Sequence, residues 1–102
     1  MGGITNNNFS RSMSRKYAQD YISKVLVHKT QGEFTPIIKQ EVRNMYNLHG
    51  QDRLLEDVVR NLTFDPRIIT ERFVNDFGKE EYGYVHVKVK PEYQNKDDVN
   101  YY

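Results

Sequence analysis

Near Pro66 the apolar residues change their period from helical to alternating, and that change restricts the chain to helices packed on a small sheet. Before it, over about 51–62, Leu54, Leu55, Val58, Val59 and Leu62 recur on one helical face, with Gln51, Arg53, Glu56, Asp57 and Arg60 opposite. After it, Ile69, Phe73 and Phe77 fall on one side of an extended segment, with Ile68 and Val74 on the other. Tyr82 to Lys90 then alternates, with Val85, Val87 and Val89 on the face expected to be buried. Gly78-Lys79-Glu80-Glu81 reads as the turn of an antiparallel hairpin, and Pro91 closes its second strand. A lone hairpin is marginal in water, so this one has to pack on helices, and its edges are open to strands from a partner.

Two further helices are expected upstream. Ser14 suits the N-cap of a helix over about 15–28, whose apolar stripe is Tyr17, Ala18, Tyr21, Ile22, Val25 and Leu26. Gln31-Gly32-Glu33 breaks it, with Gly32 free to adopt a positive φ. Thr35-Pro36 opens the second helix, which carries Ile37, Ile38, Val42, Met45 and Tyr46 and ends by Gly50. Residues 1–13 read as an extended arm, 14–91 as one α+β domain and 92–102 as a polar tail. The expected architecture is α+β: an arm, then three helices on one face of a small antiparallel C-terminal sheet.

A chain of 102 residues supports one domain with a modest core. Its 37% hydrophobic and 28% charged residues, with 8 Tyr and 5 Phe, place it above the disordered class but leave burial for neighbours to supply. The absence of Cys excludes disulfides, thiolate zinc sites, iron–sulfur clusters and a cysteine nucleophile. No apolar run is long enough to cross a bilayer and no leader pattern follows the first Met, so a cytoplasmic protein without a membrane partner is expected. The net charge is +1, yet residues 1–29 set Arg11, Arg15, Lys16, Lys24 and Lys29 against Asp20 alone.

Nothing in the chain has the spacing that catalysis requires. His28, His49 and His86 are dispersed, and the acid pairs Glu56-Asp57, Glu80-Glu81 and Asp97-Asp98 show no sign of a desolvated pocket. The glycines form no phosphate loop, and Ser10, Ser12 and Ser14 have no base beside them. The expectation is a binding protein with no enzymatic activity, cofactor or metal. Phe9, Tyr17 and Tyr21 beside the basic residues suggest a stacking surface for single-stranded nucleic acid. Both tyrosines fall on the apolar stripe, however, so a nucleic-acid-binding or host-takeover regulator acting through this basic third is the secondary reading.

The junction Asp65-Pro66-Arg67-Ile68 has a distinctive form. Asp65 can accept backbone N–H bonds, Pro66 fixes the turn, and Arg67 stands at a rigid corner suited to a carboxylate on another chain. A helix that runs into an acid-Pro-Arg-Ile corner and then a hairpin resembles the small baseplate wedge proteins of contractile-tailed phages. That family is often labelled lysozyme-like and also occurs in type VI secretion baseplates. The segment Lys24 to Pro36, with its Gly32-Glu33 turn, is similar to the family's helix, Gly-Glu-Arg turn and Pro, and the Ser10-Arg11-Ser12 arm is similar as well. This chain departs from the pattern with Asp65 in place of Glu, Phe34 in place of Arg, and Ile37-Ile38 in place of Phe-Gly.

The resemblance implies a structural assembly protein. The N-terminal helix, with Arg11, Arg15, Tyr17, Tyr21, Ile22 and Val25, would meet a larger wedge subunit. The hairpin edge, with Lys88 and Lys90 as gatekeepers, would template the sheath. The implied location is the host cytoplasm during assembly and the tail baseplate of the virion afterwards. No glycosidase pair of carboxylates accompanies the family label.

Overall fold

A computed structural model of the protein describes residues 2–74 and 80–95, with side chains placed for 12–72 and 85–95. In chain order the elements are α1 (Gly2–Lys24), β1 (Glu33–Phe34), α2 (Thr35–Met45), α3 (Asp52–Thr63), β2 (Ile68–Val74) and β3 (Glu80–Val89). Short 3-10 turns occupy Leu26–His28 and Pro91–Tyr93. The strands form an antiparallel sheet of order β1-β3-β2, and with the three helices the fold is α+β.

The core lies where the helices meet one face of the sheet. Leu55, Val58 and Leu62 of α3 are fully buried at helical spacing, and Ala18, Tyr21, Ile22 and Leu26 reach them from α1 and the turn after it. Ile38 and Val42 close the core from α2, whereas Ile37 and Met45, expected on the same face, are exposed. Val87 and Val89 are buried and Val85 packs partly against the cluster, so the period-two reading of β3 holds. Cross-strand partners share a face: Ile68 with Val89 and Thr70 with Val87 look inward, while Ile69 with Lys88 and Glu71 with His86 look outward.

Several boundaries differ from expectation. The segment expected to be an extended arm is helical from Gly2, because packed turns from Ser14 onward supply the nucleus and each residue added before them gains a hydrogen bond. Ser14 is therefore not an N-cap but a buried mid-helix residue, 1% exposed. At the other end α1 stops at Lys24, where Val25 leaves helical geometry (φ −123°), and Leu26–His28 tightens into a 3-10 turn. Glu80 and Glu81 belong to β3, and residues 75–79, which carry the rest of the expected hairpin turn, lie outside the described residues, as does the tail beyond 95. The pairing also shifts between Arg72 and Val74, opposite Val85 and Glu80.

The element missing from the sequence reading is β1. Glu33 pairs with Val87 and Phe34 with His86, which makes β3 the central strand. Gly32 permits this approach: its φ is +77°, and a Cβ there would stand 2.4 Å from the Val87 carbonyl oxygen.

Candidate functional site

The Asp65-Pro66-Arg67 corner is closed on itself. Asp65 Oδ1 accepts from the Arg67 backbone N–H and from Nε, both at 2.9 Å, and Oδ2 accepts from Nη2 at 3.0 Å. This forked pair fixes the turn as expected, and it holds the Asp65 carboxyl below the usual carboxylate range, chiefly through the Arg67 side chain and against the effect of burial. The corner is also stitched to β3, because Lys90 N–H donates to the Arg67 carbonyl at 2.8 Å. Arg67 was expected to display its guanidinium to a partner's carboxylate. Instead its own corner supplies that carboxylate, and only 29% of the side chain is exposed.

Of the two outer strands of the sheet, β2 is the longer, seven residues against two for β1. Lys88 and Lys90 were placed on a free edge, but the strand before Pro91 is central, flanked by β1 and β2. Lys88 stands opposite Ile69 on the outer face. The bond from Lys90 to Arg67 sets the phase of the ladder, so Ile69 and Glu71 direct their backbone groups at β3 and Thr70 directs its own away. The bond from Ile68 N–H back to the Asp65 carbonyl, at 3.0 Å, agrees with that phase. Ile69 on β2 and Phe64 at the C-terminal cap of α3 are exposed, Phe64 to 72%.

The stripe of α1 that was expected to meet a larger subunit is filled by the protein itself. Tyr21 and Ile22 are fully buried, and Tyr17 and Val25 pack half-buried against the same cluster. Two reciprocal tyrosine–carboxylate bonds tie α1 to α2: Tyr21 donates to Glu41, and Tyr46 donates to Asp20 at 2.5 Å, with Tyr17 and Tyr46 rings 4.7 Å apart. Burial and the Glu41 carboxylate push the Tyr21 phenol far above its ordinary pKa. The bond from Tyr46, with Lys24 assisting against burial, lowers that of Asp20. Lys29 joins Glu33 at 3.0 Å to Glu41 at 3.1 Å, so it also clips β1 to α2. Tyr21 thus has no face free to stack on a base, and Tyr17 is half-buried against Tyr46.

Between α1 and α3 lies a polar cleft of about 340 Å³, lined by Ser14, Arg15, Arg53, Asp57, Arg60 and Asn61. Its floor is a bonded set: Asn61 Nδ2 donates to Ser14 Oγ at 3.0 Å and to the Asp57 carbonyl at 2.9 Å. Arg60 Nη1 meets Asp57 Oδ1 at 3.0 Å, and Arg15 and Arg53 are exposed at the rim. Arg15 was among the expected binding residues; Arg53 and Arg60 were read only as a solvated face. Their meeting depends on how α3 crosses α1, which no spacing within one segment reveals. The Arg11 side chain lies outside the described ones.

Among the described residues no group of three or more His, Asp or Glu side chains could hold a metal ion, and no described helix is long and apolar enough to cross a membrane. No family model matches the chain, and no curated protein or solved structure matches it.

Proposed function

We propose that the chain is an assembly protein of a contractile-tail baseplate wedge, joining neighbouring subunits by strand addition at the edge of β2. The observation that carries this reading is the seven-residue β2 strand, an outer strand paired with β3 that carries the exposed apolar side chain of Ile69. An edge of that length beside apolar side chains is a template for another chain's strand unless a partner covers it. The locked corner adds support, because it fixes the direction in which β2 leaves α3 and so presents the edge without an ordering cost. The two segments that resemble the wedge family, Gly32-Glu33 and Asp65-Pro66-Arg67, both brace β3. With Tyr21 and Ile22 inside the core, contact with a larger wedge subunit falls to the part of α1 before Ser14.

Co-expression with tagged sheath and wedge subunits encoded in the same genome tests this proposal. The sheath subunit is expected to capture the wild-type protein, and Ile69→Lys is expected to reduce capture at least tenfold while leaving the circular dichroism spectrum unchanged. Equal capture of the variant would remove the β2 edge from the account. Capture by no tail subunit would remove the baseplate reading.

A further inference from the structure

We infer that the cleft between α1 and α3 is a docking site for an acidic segment of a partner protein, with Arg15, Arg53 and Arg60 holding its carboxylates. The inference rests on the reading of this chain as a protein-binding module and names a second contact, formed by residues of α1 and α3 and by none of β2.

Three features carry it. The first is charge: the six lining residues contribute three guanidiniums and one carboxylate, a local excess of +2 on a chain whose total is +1. Asp57 answers only Arg60 among them, at 3.0 Å. The second is chemistry. The chain has more Lys than Arg, 8 against 7, yet every cation lining the cleft is Arg. A planar guanidinium meets a carboxylate through two parallel N–H bonds, a geometry that an ammonium group lacks. The third is rigidity: the cleft stands on two packed helices, and its floor is pinned by the Asn61 bonds to Ser14 and to the Asp57 carbonyl. The packed helices therefore fix the backbone from which the three arginines project, so the spacing of their anchor points is set before a ligand arrives.

The same features favour a protein over a nucleic acid. Arg53 and Arg60 lie seven residues apart on α3, roughly 10 Å along the axis, with Asp57 between them. A short acidic segment can place carboxylates on either side of Asp57. A phosphate backbone would run its continuous charge across that carboxylate.

The test uses the full chain and fluorescence polarisation with two labelled probes, a ten-residue peptide of Glu and Asp and a ten-nucleotide single-stranded DNA. The peptide is expected to bind at low salt, and the double variant Arg15→Gln, Arg53→Gln is expected to weaken it at least tenfold. Arg43→Gln, a control on α2 whose guanidinium bonds Gln40, should change it less than twofold. Absence of peptide binding, or equal binding by the double variant, overturns the inference. Tighter binding of the DNA, lost in the same double variant, overturns it in favour of a nucleic-acid site. Peptide binding is read on the isolated chain and sheath capture in co-expression, so failure of this cleft and failure of the β2 edge are separate results.

Discussion

Tyr21, with no exposed surface, donates its phenolic hydrogen to Glu41 of α2, twenty residues away. The same carboxylate receives Lys29, so one acid joins the last turn of α1, the segment after it and α2. Tyr21→Phe keeps the ring in the core and removes only this bond. The expected loss is about 1–2 kcal/mol, read as a lower urea midpoint with an unchanged slope. A double-mutant cycle with Glu41→Ala should show coupling, because each change alone removes the Tyr21–Glu41 bond.

Acid should release the corner. The Asp65 carboxyl titrates below its unfolded value, so it contributes stability above the unfolded pKa of about 3.9, and that contribution is lost as pH falls through the depressed folded value. Asp65→Ala is expected to cost about 1–2 kcal/mol at pH 7, having removed both the forked pair and the bond to the Arg67 N–H. Urea melts repeated from pH 7 to pH 2 should show the gap between variant and wild type narrowing only below about pH 4. A constant gap would mean that the carboxylate charge is not what holds the turn.

Gly32 and Gly50 share a φ of +77° but differ in their surroundings. Nothing lies within 4 Å of a Cβ at Gly50, so Gly50→Ala should cost only the backbone strain, about 1 kcal/mol. Gly32→Ala adds a collision with the Val87 carbonyl and the His86 ring, and should cost at least twice as much. Amide exchange at Val87 would rise in the second variant alone, since β1 must withdraw from β3.

These elements also mark how far sequence pattern reaches. The face of α3, the alternation of β3, the positive φ of Gly32 and the Asx turn at Asp65 were all legible, because each is a local consequence of spacing or of one residue's geometry. β1 was not, since two residues carry no period and pair only because α2 brings them to Val87. The start of α1 was missed because residue propensity omits the cooperativity that extends a helix from a packed segment. The stripe on α1 correctly marked Tyr21 and Ile22 as apolar, but a helical wheel does not say whether the chain or a partner covers them.

Leu62 and Phe64 offer a contrast within three residues. Leu62 has no exposure and Leu62→Ala should cost about 2–5 kcal/mol through the cavity it leaves. Phe64 is 72% exposed, and Phe64→Ser should stay within about 0.5 kcal/mol of wild type. Thermal melts of the two variants would test this directly. A large loss for Phe64→Ser would show that the ring is part of the fold and not of the surface beside β2.

The strand order β1-β3-β2 sets a timetable for synthesis. Both outer strands leave the ribosome before the one they pair with, and Glu33 waits more than fifty residues for Val87. Until Val85 to Val89 emerge, the nascent chain has helices but no sheet, and Ile68 lacks its partner Val89. A chain that stalls or is cut after β2 but before β3 is therefore left with two orphaned strands, a substrate for chaperones or proteases and not a partial fold.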